Sequence, residues 1–503
     1  MLKERKLLRK ENIFLNESNE ITYEGGKDIV GWYTYDSYLG DLKVSIQDDK
    51  NKVNINEEDY YFTEFSSTAT ESDYHTFVDT YEFKGVYLAF NLNIIDTLKY
   101  FKENFNLFNK EEFIKGVEEI LNKHNMLKKY DNHEILIEKR GYLQITLLDK
   151  KLDDKMLLCT KDILKYIRKY NDDLGLHITR MFGSYILLKK INGNLKAIKA
   201  TPIPIKYCPL MIKLLHEVGG HLADNLIKSL DTKDEELQTK MMCDLINEVV
   251  IKGGYFDTNR PLNSCEANVL FGASETMSSA FKNGIIDAAV IVSNNLGTII
   301  TTNEFNTQGA VKRMTGLFYT SPNETIMHTA LEEGIIPVFP YTACIDQLEG
   351  VKKAIRLGYK KIAVSVAAYD NYLHEELSKL EKENNVTIYK FGLCSTGIDK
   401  NTAEKMMSHA DVIWSCASKY VKELIEPNAI AQVGVKIPVH IMTKQGWKII
   451  RNHLSLMNNK INLEDLNLEK GENKPVLLNS KEEIKVLTKK QLKKCSDCPH
   501  PCI

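Results

Sequence analysis

The chain has 503 residues, of which 43% are hydrophobic and 27% are charged, and its formal net charge is -2. This balance is typical of a globular protein with two or more domains, and it excludes a strongly basic surface for nucleic acids. No apolar run reaches the roughly 18 residues of a membrane-spanning helix, and no secretory signal is visible. We therefore expect a cytoplasmic protein with no membrane partner, whose ten cysteines are free, metal-binding or catalytic.

Residues 1–200 predict an N-terminal α+β domain. KEEFIKGVEEILNKHNML has apolar residues at helical spacing, EILIEKRGYLQITLLDKK is typical of a hairpin, and Asn192-Gly193 predicts a turn between two strands. Residues 201–264 predict a helical connector. HEVGGH in this connector places His216 and His221 five residues apart, whereas a zinc protease helix needs a spacing of four.

Residues 265–480 predict an α/β domain. Short apolar strands without alternation are separated by helices of about ten to fifteen residues, as in sheets that are buried on both faces. We expect a Rossmann-like fold with a mostly parallel sheet and helices on both faces. Within it, QGAVKRMTGLFYTSP (residues 308–322) is interpreted as a loop.

Ligands of open α/β sheets bind beyond the carboxyl ends of the strands. The polar residues that follow the predicted strands are therefore candidates for binding a small anion: Ser293, Asn294, Asn295, Ser395, Thr396, Gly397, Ser418 and Lys419. Three cysteines occupy comparable positions, Cys344, Cys394 and Cys416. The alternative is structural, because hydroxyls at such junctions often cap helices and buried cysteines often act as small apolar residues.

The C-terminal tail, residues 481–503, contains the sharpest local motif. Cys495, Cys498 and Cys502 give a C-x2-C-x3-C pattern in KKCSDCPHPCI. Thiolates at this spacing suit zinc or an iron–sulfur cluster. A fourth ligand could come from His500, from Cys208 or from outside the chain.

Several segments together resemble the methanogenesis marker protein 8 family, a domain of unknown function. They include KYCPL, FGASETMSSAFKNGIIDAAVIVSNNLGTIITT, ACIDQLEGVKKAIRLGYKKIAVSVA, CSTGI, ADVIWSCASK and AIAQVGVKIPVHIMTKQGW, and they cover about residues 203–210 and 265–503. The resemblance implies a role near methyl-coenzyme M reductase, in the maturation of a cofactor or an enzyme. The chain departs from the family pattern by roughly 200 additional N-terminal residues, and no catalytic residue is carried over.

Three functions stay open on this basis. The first is an accessory or maturation protein of anaerobic metabolism that binds an iron–sulfur cluster or zinc through the metal-ligand candidates Cys495, Cys498, Cys502, Cys344, Cys394 and Cys416. The second is an enzyme that acts on a small anionic metabolite at the carboxyl edge of the sheet. The third is a scaffold without chemistry that binds a protein partner through residues 1–200.

Overall fold

The computed structural model describes separate strands within residues 13–61 and most of the chain from residue 85 to residue 492. The described segments are 13–15, 21–23, 31–34, 42–47, 52–55, 58–61, 85–93, 109–127, 133–137, 142–148, 154–204, 216, 220–232, 234–267, 269–312, 316–370, 372–435, 437–457, 461–479 and 483–492. They divide into two compact units. The first comprises residues 1–174 and 338–344, and the second comprises residues 175–337 and 345–503.

The first unit contains short strands and two helices among its described residues. Its strands are β1 (Ile13–Leu15), β2 (Ile21–Tyr23), β3 (Gly31–Thr34), β4 (Leu42–Gln47), β5 (Lys52–Ile55), β6 (Glu58–Tyr61), β7 (Gly85–Asn91), β8 (His133–Ile137) and β9 (Tyr142–Leu148), and its helices are α1 (Lys110–Lys123) and α2 (Asp154–Leu174). An antiparallel sheet has the order β3-β4-β7-β9-β8, and β1-β2 and β5-β6 form separate hairpins. The predicted β8-β9 hairpin is thus confirmed.

Helix α1 follows from its apolar spacing. Phe113, Val117 and Leu121 recur every four residues, lie on one face, and are fully buried in the core of the first unit. The side chain of Asn109 caps the helix by accepting a hydrogen bond from the Glu112 N–H at 3.2 Å. The helix that the sequence predicts here is confirmed.

The second unit contains the remaining strands and helices. Its strands are β10 (His177–Met181), β11 (Ser184–Ile191), β12 (Asn194–Ala200), β13 (Ala288–Ser293), β14 (Gly297–Thr301), β15 (Gly316–Thr320), β16 (Ile336–Pro337), β17 (Lys361–Ala367), β18 (Thr387–Leu393), β19 (Val412–Trp414), β20 (Ala431–Val433), β21 (Val439–Ile441), β22 (Pro475–Asn479) and β23 (Ile484–Thr488). Its α-helices are α3 (His221–Thr232), α4 (Glu235–Leu245), α5 (Ala273–Lys282), α6 (Glu304–Lys312), α7 (Glu324–Glu332), α8 (Gln347–Arg356), α9 (Tyr372–Asn384), α10 (Lys400–His409), α11 (Glu426–Asn428) and α12 (Lys444–Ser455). Ile246–Ile251 and Val421–Ile425 are π-helical, and Ala368–Asp370, Gly471–Asn473 and Lys489–Gln491 are 3-10 turns.

A large mixed sheet forms the centre of the second unit. Its strand order is β16-β14-β13-β17-β18-β19-β21-β20-β22-β23. Strands β13, β17, β18 and β19 are parallel neighbours, as the alternating pattern predicts, and β20 and β22 are also parallel. The other five neighbouring pairs are antiparallel. The fold is therefore α/β, but the expectation of a mostly parallel sheet is wrong, because tight connections such as β13–β14 reverse the chain direction.

A second sheet has the order β12-β11-β10-β15 and is antiparallel throughout. The predicted turn at Asn192-Gly193 joins β11 to β12, and both residues have the positive φ that a tight hairpin turn needs. The interpretation of residues 308–322 as a loop is wrong. Residues 308–312 belong to α6, and residues 316–320 form β15, which pairs with β10. None of the described helices is both long and apolar enough to cross a lipid bilayer.

Candidate functional site at the carboxyl edge of the large sheet

Three predicted residues at the end of β13 are buried and bonded to protein. Ser293, Asn294 and Asn295 are 0%, 1% and 6% exposed. The Ser293 hydroxyl donates to the Ala310 carbonyl at 2.9 Å, and the Asn295 N–H donates to the Thr320 hydroxyl at 2.8 Å. These residues therefore connect the end of β13 to α6 and β15.

Two loops that follow β18 and β19 are bonded to each other. The Ser395 hydroxyl, fully buried, accepts from the Cys416 N–H at 2.8 Å and donates to the Trp414 carbonyl at 2.9 Å. The Gly397 N–H donates to the Ala417 carbonyl at 2.7 Å. The Ser418 hydroxyl donates to the Ile398 carbonyl at 3.3 Å. Because these bonds set the two loops side by side, Cys394 and Cys416 come together at one edge of the sheet.

Strand β15 runs along this edge. At one end, a Cβ placed on Gly316 would lie 3.5 Å from the Cys394 Sγ. At the other end, Thr320 contacts Asn295 beyond β13. The second sheet therefore covers the carboxyl edge of the parallel strands, and the predicted site lies between two sheets.

Arg180, on β10, is a contributor that the sequence did not reveal. Its Nη2 donates to the Thr396 carbonyl at 2.9 Å, its Nη1 to the Cys394 carbonyl at 3.4 Å, and its Nε to the Gly183 carbonyl at 3.2 Å. It is separated from these loops by more than 200 residues and belongs to no recognisable motif, so no local signal identified it. Its bonds hold the loop after β18 in place.

The two thiols are half-buried, and Cys394 has an unusual backbone. Its φ is 56°, a left-handed conformation that residues with a side chain rarely adopt and that often marks functional positions. The pKa of the Cys394 thiol is raised to about 12, mainly by burial, with smaller upward contributions from Cys416 and Asp370 and a downward one from Arg180. The Cys394 thiol is therefore protonated at neutral pH, and Cys416 lies near it.

Charged side chains around this edge already interact within the protein. Asp399 already caps α10 by accepting from the Thr402 N–H at 2.7 Å, and the hydrogen bonds from Thr402 lower the pKa of its carboxyl group. A helix start that holds its own carboxylate repels a second negative charge. Lys419 is exposed, and its Nζ lies 3.9 Å from the Glu423 carboxylate. Thr396 is half-buried and Gly397 is exposed.

The predicted cysteine ligands are divided among the first unit, the second unit and residues outside the described ranges. Cys344 belongs to the first unit, so among the three strand-end cysteines only Cys394 and Cys416 share a unit. Cys495, Cys498, Cys502, His500 and Cys208 lie outside the described residues. Within the described ranges, no group of three or more histidine, cysteine, aspartate or glutamate side chains is arranged to hold a metal ion.

The fold and the site together define the class: a mixed α/β protein with buried strand ends and two cysteines at one edge of its large sheet. Residues 177–455 match the model of a family described as an uncharacterized protein conserved in archaea (DUF2099), and the chain belongs to this family. It is also similar to an uncharacterized protein of Methanocaldococcus jannaschii, with 34% identity over 257 residues that cover 51% of this chain and 84% of the relative. The matched family region begins at β10 and ends with α12, and so includes Arg180, Cys394 and Cys416.

Proposed function

We propose that the chain is an accessory or maturation protein of anaerobic metabolism that binds a soft metal ion or an iron–sulfur cluster at the carboxyl edge of the large sheet. The observation that carries this proposal is that hydrogen bonds between the loops after β18 and β19 place the free cysteines Cys394 and Cys416 at the same edge of the sheet. Cysteine sulfurs suit zinc or iron better than they suit an anion. Because the described residues supply two thiols, we propose that Cys495, Cys498 and Cys502 of the tail supply the remaining ligands.

The protonated state of the Cys394 thiol affects how such a group would bind. A thiol must lose its proton to coordinate a metal, and burial holds the pKa of Cys394 at about 12. Binding would therefore release a proton and would weaken as the pH falls. A bound cluster would supply electron transfer, whereas zinc would supply structural cross-linking; Arg180 would keep the Cys394 loop in position in either case.

Anaerobic purification followed by iron, sulfide and zinc analysis tests this function. We expect stoichiometric metal in the full chain and its loss in the double variant Cys394→Ser, Cys416→Ser. Cys265→Ser is the matched control, since Cys265 is exposed and lies on the same unit. Metal-free protein after reconstitution, or equal metal in the double variant and the control, would refute the proposal.

A second function, an enzyme for a small anionic metabolite, is supported by the accessibility of Gly397 and Lys419. Thermal-shift screening with phosphorylated and carboxylated metabolites tests it. A shift that disappears in Lys419→Ala but persists in Lys422→Ala would support this function. The absence of any shift would exclude the tested metabolites.

We also propose the finer kinship with methanogenesis marker protein 8 and the Rossmann-like character of the β13-β17-β18-β19 region. The order of the matching segments supports the kinship. The parallel pairing of β13, β17, β18 and β19 supports the Rossmann-like character. A protein partner for residues 1–200 stays a prediction, as does the cytoplasmic location. Pull-down with purified methyl-coenzyme M reductase would test the partner, and binding that survives removal of residues 1–174 would argue against it.

A further inference from the structure

A small cavity lies away from the thiol pair, among helices α5, α6 and α12. Its volume is about 120 Å³, and its lining includes Cys265, Glu275, Ser279, Lys282, Phe305 and His453. A water molecule occupies about 30 Å³ in the liquid, so this space accommodates only a few waters or a short acyl group.

A serine and a histidine are hydrogen-bonded at this cavity. The Ser279 Oγ lies 2.7 Å from the His453 Nδ1, and the His453 Nε2 lies 2.7 Å from the Leu270 carbonyl oxygen. A carbonyl oxygen can only accept, so Nε2 carries the ring proton and Nδ1 of the neutral ring is an acceptor. The Ser279 hydroxyl is therefore the donor to Nδ1, although the Glu275 carbonyl, at 2.9 Å, is a second acceptor within its reach.

The surroundings keep this histidine neutral and in one orientation. His453 is 5% exposed, and burial lowers the pKa of its ring below the usual range. Its bond to Leu270 fixes the ring in the same way that the third group of a catalytic triad orients a base. Ser279 is half-buried and lines the cavity together with His453.

Exposed apolar side chains lie at the cavity and beside its histidine. Phe305 lines the cavity and is 44% exposed, and Leu270, whose carbonyl accepts from His453, is 47% exposed, which is high for large apolar side chains. Lys282, one turn after Ser279 on α5, adds a positive charge at the cavity wall. An exposed apolar side chain, a hydroxyl paired with a base and a nearby cation match the needs of an ester or thioester with a short acyl group.

We propose that Ser279 and His453 form a nucleophile–base pair that transfers short acyl groups from esters or thioesters to water. The Ser279 Oγ attacks the acyl carbonyl carbon while its proton moves to the His453 Nδ1. The carbon–oxygen or carbon–sulfur bond to the leaving group breaks, and the leaving group takes that proton. Water then attacks the serine ester and gives a proton to His453, which returns it to Ser279 as the carboxylic acid departs. Lys282 stabilises the negative charge that develops on the carbonyl oxygen.

A purely structural role would use the same bonds. The Asn452 side chain donates to the Ser279 carbonyl at 3.0 Å, so α5 and α12 are linked beside the pair in any case. Such a link gives Ser279 no nucleophilic reactivity, and the two roles are therefore distinguishable by covalent labelling.

Treatment of the intact chain with an alkyl fluorophosphonate, followed by mapping of the modified residue by mass spectrometry, tests this proposal. We expect a single adduct on Ser279, and hydrolysis of p-nitrophenyl acetate that falls roughly 100-fold or more in Ser279→Ala and His453→Gln. Ser408→Ala is the matched control, because Ser408 also lies in a helix and donates to the carbonyl four residues earlier, at 2.8 Å. The control should retain labelling and rate.

No adduct on Ser279 in the intact chain would overturn the proposal without reference to any variant. An equal rate of hydrolysis in Ser279→Ala and Ser408→Ala would also overturn it. Thermal melting of each variant shows whether it is folded, and the mapping of the adduct stands even if a variant is not.

Discussion

Replacement of Lys390 by methionine should destabilise the second unit strongly, because it would leave the buried Asp411 carboxylate without its cation. The Lys390 side chain is 6% exposed, and its Nζ lies 2.7 Å from the Glu381 carboxylate and 3.5 Å from that of Asp411. Nζ also donates to the Ile388 carbonyl at 3.2 Å. The Asp411 side chain is 5% exposed, so it cannot exchange its partner for bulk water.

The magnitude follows from the burial of this pair. Removal of one partner of a buried ion pair costs about 3–5 kcal/mol, since the remaining charge stays desolvated. Lys390→Met preserves most of the aliphatic volume, so the loss reports on charge more than on packing. The free energy of unfolding at about pH 8 should therefore fall by about 3–5 kcal/mol.

The pH dependence gives a second signature. Burial raises the pKa of the Asp411 carboxyl above its ordinary value of 3.8, even with Lys390 present. A group with a raised folded pKa stabilises the fold below its unfolded pKa, and this stability is lost as the pH rises through the folded pKa. Without Lys390 the pKa rises further, so the loss caused by Lys390→Met should be smaller at about pH 5 than at about pH 8.

Urea unfolding of both proteins at the two pH values measures these effects. Lys379→Met is the control, because Lys379 forms comparable ion pairs with Glu376 at 2.8 Å and Glu375 at 3.2 Å on an exposed helix surface, where ion pairs contribute little. The reasoning is refuted if Lys390→Met costs no more than the control, or if its cost is the same at both pH values.

Three other changes have expected outcomes. Cys394 should react with iodoacetamide at about pH 7 far more slowly than the exposed Cys265 does. A thiol with a pKa of about 12 is almost wholly protonated at that pH. Equal rates of modification, measured by peptide mass spectrometry, would contradict this. Gly446→Ala should lower the melting temperature, because a Cβ at this position would overlap the main-chain oxygen of Asp411. Overpacking of this kind costs about 1–3 kcal/mol or more. An unchanged melting temperature would contradict this and show that α12 shifts freely. His374→Leu should increase the free energy of unfolding, and this increase should be about 2 kcal/mol larger at about pH 5 than at about pH 7. Burial lowers the pKa of His374 to about 3 from 6.5, so the native histidine costs stability between these values, and urea unfolding that shows the same pH dependence in both proteins would refute this account.

Much of the local structure follows from the sequence. Helix α1, the β8-β9 hairpin, the turn at Asn192-Gly193 and the alternation from β17 to β19 are all predicted correctly. Each depends on spacing or turn chemistry within about twenty residues. The cap of α10 by Asp399 belongs to the same class, because an N-cap interacts with the amide only two or three residues further on.

The candidate site depends on contacts across long sequence distances. Ser279 and His453 are separated by 174 residues, and Arg180 and Cys394 by 214. No periodicity records such a pairing, and neither Ser279 nor Arg180 stands out among its neighbours. The strand-end cysteines show both kinds of information. The sequence predicted that they follow strands, but it did not predict that Cys344 belongs to one compact unit and Cys394 and Cys416 to the other.

The sequence by itself determined an α/β protein with alternating elements in its C-terminal half and polar residues at the ends of its strands. The tertiary structure decided that the large sheet is mixed and that β15 pairs with β10 along its carboxyl edge. The physical reason is that helix and strand formation respond to local side-chain periodicity, whereas strand order and the burial of strand ends depend on which distant surfaces pack together.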